Sequence, residues 1–468
     1  MPDTRIYNGN GISWVSPYPE PKGLNPDLLM SFVSLEGRMF DRWINRSQTF
    51  TVVGGGSPNV LATSTNHYYW NTQTVRLTTT GTLPTGLAIN TTYYIISRTD
   101  TTFKLSATRN GAEITITGSG IGTHSVYRYN GYSENDLIEN PAYIIESLLR
   151  DEIFVERDLS VTTVTSTTVF TCSGLKNSTY GYYVNAIYYN ATRGTKKYVT
   201  AYTGSTKTIT LDSADTNLAV GDKIFFTNIQ GDQRIQQQTF DYVGNSVDGL
   251  RANWKFRFSF TSKKIVKEYF SQMLFECHCS LYDAFNGVKI IPLDTTADAV
   301  NTWTVPLTRN SERELVFPKL TPLSEIYSDF RIKYDYDVGS GNYRREYFVN
   351  PSGYTSGASL SVEQGLCSDA ISNYKIPPKK YEYQCDFIAD STTAQNLLKK
   401  LVAMKTSQKL IVNWSGEIST HIKYEKGDQV KFNYSNMIPT GLNNSSLFMI
   451  INKTIQPKKK VDMLLSTF

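Results

Sequence analysis

Apolar and polar residues follow two different rhythms along this chain. In two long blocks, roughly Ser47 to Tyr129 and Leu159 to Phe240, short β-branched and aromatic runs keep the two-residue period of half-buried strands. The first block contains Thr91–Ser97, Thr101–Ser106 and, after an Asn110-Gly111 turn, Glu113–Thr117. The second contains Thr167–Cys172, Tyr182–Tyr189, Lys196–Tyr202, Lys207–Leu211 and Lys223–Thr227, separated by turns such as Val220-Gly221-Asp222. Strands at such short spacing predict a small sandwich or barrel in each block.

Outside the blocks the period changes to that of helices. Asn140 as cap and Pro141 at the first helical position open a run with Ile144, Ile145, Leu148 and Leu149 on one face. A second helix is expected from a cap near Thr261 or Ser262, with Ile265, Val266, Tyr269, Phe270, Met273, Leu274 and Cys277 as its buried stripe. A third follows Asp390-Ser391, with Ala394, Leu397, Leu398, Leu401 and Val402 inward and Lys399, Lys400 and Lys405 toward the end the helix dipole favours. Strands are expected at Gly287–Leu293, Phe330–Tyr336, Lys409–Trp414, Gln429–Tyr434 and Phe448–Asn452. The fold class is therefore mainly β with a few helices, in several domains.

Composition narrows the function. The 468 residues are 40% apolar and 19% charged, which suits an ordered globular chain. Thirty-one Tyr and 22 Phe stand against four His, so aromatic surface is abundant and side chains that titrate near neutral pH are scarce. The formal charge of +5 is mild, and Lys458-Lys459-Lys460 and Pro378-Lys379-Lys380 read as solvated faces. Five cysteines, Cys172, Cys277, Cys279, Cys367 and Cys385, are irregularly spaced and read as reduced thiols. The amino-terminal stretch has no apolar leader and no apolar run is membrane-length, so assembly in a cytoplasm is the expectation.

Motifs for chemistry are weak. Cys277-His278-Cys279 is a cluster of soft ligands, but a zinc site needs three or four and no companion pair lies near in sequence, so packed thiols are expected. Asp283, Asp335, Asp337, Glu382 and Asp386 supply carboxylates whose separation the sequence does not set. Val53-Gly54-Gly55-Gly56-Ser57 opens no helix and reads as a turn rather than a phosphate loop. No catalytic, cofactor-binding or metal-binding residue is assigned, and the chain is expected not to be an enzyme.

The frame residues carry a resemblance. Asn140-Pro141-Ala142-Tyr143-Ile144-Ile145-Glu146-Ser147-Leu148-Leu149-Arg150 resembles a helix of tail hub proteins of long-tailed bacteriophages and related contractile devices. The order that follows is also similar: Phe256-Arg257-Phe258-Ser259-Phe260, the second helix, the hairpin at Phe285–Ile290, Phe330–Tyr336, the Ser391 helix, Glu425–Lys431 with its Gly427-Asp428 turn, and a closing hairpin of Phe448–Ile451 with Val461–Leu465. Leu83-Pro84-Thr85-Gly86-Leu87 through Gly122-Thr123-His124, and the stretch around Phe170–Leu175, are similar to small β modules found in phage structural proteins.

That resemblance implies a division of the chain. Residues 1–46, 129–158 and 237–295 would form a discontinuous hub frame, 47–128 and 159–236 two inserted β modules, 296–405 a second barrel and helical part, and 406–468 a terminal barrel-like domain. Tail-tube-like and OB-like barrels are the folds it implies. The implied function is a virion tail hub, a trimeric ring that adapts a sixfold tube to the tip. Its implied partners are tube or distal tail proteins, tip, spike or fibre proteins and a tape measure protein, with DNA passing the lumen unbound and host glycans touched through the insertions. A receptor-binding or carbohydrate-binding fibre or tip protein is the alternative, and a tail-associated hydrolase the third reading.

Overall fold

The computed structural model describes residues 3–7, 12–16, 29–30, 32–34, 47–53, 59–64, 67–133, 136–229, 234–257, 264–284, 287–293, 302–305, 319–417, 424–432, 447–456 and 460–467. It is mainly β with five α-helices among these residues, in agreement with the expected class. The chain divides into two compact units, Met1–Asn253 with Ser259–Ser271, and Trp254–Phe258 with Gln272–Phe468.

In the first unit, Ser47 to Arg128 closes into a six-stranded barrel. Going round it, the strands are His124–Arg128, Ser47–Val52, Leu61–Thr63, Thr102–Ser106, Tyr93–Ile96 and Thr74–Thr79, which returns to His124–Arg128. Every pairing is antiparallel. Alternation sends Phe50, Leu61, Val75, Leu77, Ile95, Phe103, Leu105 and Val126 inward, each large side chain contributing about 1.5–3 kcal/mol by burial. Closure removes the exposed edges that would otherwise template aggregation. The expected strand Glu113–Thr117 forms only isolated bridges, Ser106 to Glu113 and Thr85 to Thr117. The N–H of Ile116 within it is taken by the Asn59 Oδ1 at 2.8 Å, so a side chain replaces a strand partner while Ile116 stays buried.

The second block forms a seven-stranded antiparallel sheet in the order Glu156–Ser160, Lys223–Thr227, Ile187–Asn190, Thr195–Thr203, Thr208–Leu211, Val169–Thr171, Thr163–Val164. Its first and last strands are consecutive in the chain, so Val161 and Thr162 bridge the two ends of the sheet. Their N–H groups bond Asp222 O at 3.0 Å and Thr171 O at 2.8 Å, which wraps the sheet nearly shut around Phe170, Tyr183, Tyr188, Tyr202 and Phe226. The expected strand Tyr182–Tyr189 is shortened to Ile187–Asn190. Ahead of it, Tyr182, Val184 and Ala186 each donate to the carbonyl three residues back, and these turns tuck Tyr183 into the core.

Helix α1 (Pro141–Leu148) is capped as its sequence dictates, with Asn140 Oδ1 accepting from Ala142 N at 3.0 Å. A π-helical turn, Leu149–Ile153, continues it. Helix α2 (Gln237–Gly244) was not foreseen, because its apolar and aromatic residues, Phe240, Tyr242 and Val243, fall within a single turn after a polar start, and it packs on α1. Helix α3 (Val266–Glu276) starts later than expected: Ile265 belongs to a short strand, Lys264–Ile265, paired with Leu29–Met30. The proposed caps Thr261 and Ser262 lie outside the described residues.

In the second unit, a four-stranded sheet runs Gly353–Tyr354, Asn342–Asn350, Asp329–Asp337, Lys380–Gln384, the last pair parallel. The unforeseen α4 (Ser361–Tyr374) and the expected α5 (Ser391–Lys405) pack on it. Asp390 caps α5, accepting from Thr393 N at 2.8 Å. A six-stranded sheet, Thr302–Val305, Gln429–Phe432, Leu447–Gln456, Lys460–Ser466, Leu410–Glu417 and Lys319–Leu320, encloses Val412, Trp414, Phe448, Ile450, Val461 and Leu465. The closing hairpin pairs Ile450 with Leu465 and Ile455 with Val461. Phe256 and Arg257 form no strand; Arg257 N instead bonds Phe387 O at 2.9 Å, and Phe258–Phe260 lie outside the described residues.

The α1–α2 crossing is close because α2 ends in glycine. A Cβ on Gly244 would lie 2.7 Å from Asn140 Oδ1, 3.1 Å from Ala142 Cβ and 3.2 Å from Tyr143 Cε2. Gly244→Ala is expected to destabilise the chain by about 1–3 kcal/mol in urea denaturation, with the cap of α1 displaced; an unchanged midpoint would contradict this packing.

Candidate functional site: a buried charge junction

The inward positions of the strand His124–Arg128 are His124, Val126 and Arg128, so alternation carries a guanidinium to the end of the barrel beside the helices. There Arg128 Nε donates to Asp241 Oδ2 at 3.0 Å, and Nη2 donates to Oδ1. Asp241 stands on α2. It also accepts from the Tyr143 hydroxyl of α1 at 2.7 Å. The Trp70 ring centroid lies 5.7 Å from Arg128 Cζ. One turn along from Tyr143, the Glu146 Oε1 accepts from Arg150 Nε at 2.9 Å. All four charged residues are buried, Glu146 completely.

Taking such ions out of water costs several kcal/mol each, and only close, hydrogen-bonded pairing offsets it. The pKa directions follow that balance. Burial would lower Arg128, but the charges of Asp241, Glu146 and Tyr143 outweigh it and hold it above its ordinary range. Burial, then Asp241, drives the Tyr143 hydroxyl well up. Burial raises Glu146 against the opposing pull of Arg150 and Arg128.

This cluster is where both β modules attach. Arg150 O accepts from Asn228 N at 3.3 Å, immediately after the strand Lys223–Thr227. On the barrel side, Ser246 N bonds Asn130 O at 2.9 Å and Asn245 Nδ2 bonds Thr74 Oγ1 at 2.7 Å. Arg109 adds a clamp, donating to Asp248 Oδ2 from Nε at 2.9 Å and Nη2 at 2.6 Å. Asn140, besides capping α1, donates from Nδ2 to Arg251 O at 2.8 Å. Asp241 is taken up by guanidinium and hydroxyl partners, whereas Glu146 Oε2 is buried without a hydrogen-bond partner among the described residues.

The second unit has its own buried acid. Glu276, the last residue of α3, accepts from the N–H groups of Asp386 at 2.9 Å and Phe387 at 3.0 Å, and from Gln272 Nε2 at 3.2 Å. Burial pushes its carboxyl up to about 8 although those two backbone donors oppose the shift. Asp386 beside it accepts from Gln272 Nε2 at 2.8 Å and from the Tyr343 hydroxyl.

Of the acids singled out from sequence, Asp386 belongs to this second cluster; the others fall elsewhere. Cys277, His278 and Cys279 are buried; Cys277 Sγ donates to Leu274 O at 3.5 Å and Cys279 Sγ to Cys277 O at 3.4 Å. Among the described residues no group of three or more His, Cys, Asp or Glu side chains is placed to hold a metal ion. Asp335 pairs with Arg345 at 3.5 Å, Asp337 with Arg344 at 3.2 Å, and Glu382 with Lys333 at 2.6 Å and with Lys380. Asp283 is exposed, and Gly54–Ser57 lie outside the described residues. Arg128 and Asp241 were missed. The available signal was an arginine in phase with the inward residues of its strand.

No protein-family model matches the sequence, and no curated protein matches it. Among solved structures it is similar to the prophage tail protein gp18 from Listeria monocytogenes EGD-e, at 13% identity and TM-score 0.28 over 66% of this chain and 87% of that one. It is similar to a chain of the virion of a native gene transfer agent particle at 10% identity and TM-score 0.31, over 56% and 63%. The 43 kDa tail protein of prophage MuSo2 from Shewanella oneidensis matches at 8% identity and TM-score 0.26, over 90% and 98%.

Two outcomes follow from the buried acids. Asp241→Asn strips the counter-charge from Arg128 and is expected to cost about 3–5 kcal/mol in equilibrium unfolding, more than Tyr143→Phe at about 1 kcal/mol; equal, small losses would contradict the junction. Glu276 carries a proton in the folded chain up to about pH 8 but loses it near its ordinary value when unfolded. Its contribution is therefore present below the unfolded value and lost as pH rises toward 8. Stability measured from pH 5 to 8 should fall for the native chain and fall less steeply for Glu276→Gln.

Proposed function

We propose that this chain is a structural protein of a bacteriophage tail, a hub whose copies form a trimeric ring between the sixfold tube and the tip. The observation that carries the reading is architectural: a closed barrel and a nearly closed sheet leave one helical frame and return to it, both fixed at the junction of Arg128, Asp241, Tyr143, Glu146 and Arg150. Long insertions are tolerated when their ends meet on a scaffold, and they add surface without disturbing it. The order of frame motifs, from the Asn140 helix to the closing hairpin, supports the same reading.

In this role the chain works by geometry and not by catalysis. Copies meet through surfaces related by rotation, the frame lines a channel for the genome, and DNA passes without specific contacts. Tube or distal tail proteins, tip, spike or fibre proteins and the tape measure protein would be its neighbours in the virion tail. The Thr- and Tyr-rich modules would face outward, available for packing against those neighbours or for host glycans.

Electron microscopy of the purified chain tests the reading. Hollow rings with threefold or sixfold outline are expected at micromolar concentration; elongated fibres or isolated monomers at every concentration would overturn it.

A further inference from the structure

We infer that the end of the second unit around Tyr327 is a docking surface for a second copy of this chain, and that its counterpart is the acidic segment Asp136–Glu139. The inference rests on the ring reading and names the contact that would build it. Lys379 Nζ sits 4.3 Å from the Tyr327 ring centroid, and Lys405 Nζ sits 5.7 Å from the same centroid and 5.0 Å from that of Tyr381. The segment before Tyr327 is held in place at its ends. Thr321 N bonds Lys409 O at 2.9 Å, Tyr327 N bonds Lys405 O at 3.0 Å, and Lys379 Nζ donates to Ser324 O. Leu320 and Leu323 project from this segment, 58% and 46% exposed.

Cations and exposed leucines thus lie along the same held segment. Among the described residues no carboxylate lies within ion-pair distance of Lys379 or Lys405, unlike Lys333 and Lys380, which pair with Glu382. Glu325 on the same turn leaves the patch net cationic. Ammonium groups set over aromatic rings are held in place, which favours an anionic partner. Exposed leucines beside them favour a partner that also offers apolar surface.

The first unit carries that chemistry. Asp136 is exposed, its Oδ2 accepting from Ser133 N at 2.6 Å; Leu137 is 43% exposed, and the half-buried Glu139, whose charge also acts on Tyr132, follows. Acid, leucine and acid there complement lysine, leucine and lysine here. Because the two surfaces differ, a contact between copies is head-to-tail, the type that closes a ring under rotational symmetry.

The test uses the full chain in analytical ultracentrifugation at low and high salt, with circular dichroism confirming the fold of each variant. Lys379→Glu with Lys405→Glu, and separately Asp136→Lys with Glu139→Lys, are each expected to weaken association about ten-fold or more, and the chain carrying all four reversals to regain it. Rings that form equally well in both half-reversed variants would overturn this surface and leave the hub reading standing. A native chain that stays monomeric throughout would overturn both. Binding of DNA or of phosphatidylserine vesicles lost in Lys379→Glu with Lys405→Glu, with association unchanged, would assign the patch to that ligand and overturn the inference.

Discussion

A guanidinium, a carboxylate and a phenol sealed from water set the constraint on which the first unit depends. Arg128 ends a barrel strand, Tyr143 sits on α1 and Asp241 on α2, and none of the three can move independently without stranding a buried polar group. Such a cluster adds little net stability over an apolar core. Its value lies in geometry, because a guanidinium fork accepts a carboxylate in one orientation. The barrel, both helices and the strand leading to Asn228 therefore take up one arrangement.

Both modules satisfy themselves before they meet that junction. The barrel closes through His124–Arg128 and Thr74–Thr79, and the second sheet nearly closes because its end strands are separated by Val161 and Thr162 alone. Self-contained modules of this kind present side chains, not unpaired strand edges, to their surroundings. In the proposed assembly role this matters physically: contacts can be selected by surface chemistry without competition from adventitious strand pairing. The patch at Lys379 and Lys405 and the segment at Asp136 are the surfaces where such selection is most readily placed.

Much of the fold was legible because local signals agreed with tertiary demands. Asn140-Pro141 and Asp390-Ser391 marked helix starts that the caps bear out, and β-branched alternation marked five of the seven strands of the second sheet but only Tyr93–Ile96 and Thr102–Ser106 of the six in the barrel. The helices α2 and α4 were hidden because their buried residues do not repeat beyond about one turn: Phe240, Asp241, Val243 and Gly244 in one, Cys367 and Ala370 in the other. Strand signals misled where side chains or turns took over backbone partners, as Asn59 does for Ile116 and the turns at Thr179–Ala186 do for Tyr183. At the junction the sequence offered only the inward phase of Arg128 on its strand; its pairing was not legible, since Arg128 and Asp241 stand 113 residues apart and only the fold brings them together.

Native-state hydrogen exchange measures most directly whether that junction makes frame and modules one body. The account predicts that the amides of Asn228 and Ser246, which bond across the junction, open with the same free energy as core amides of the barrel such as Leu77 and Val126. Junction amides that exchange far faster while the barrel amides stay protected would contradict it, because the modules would then be folded ornaments on a loose frame.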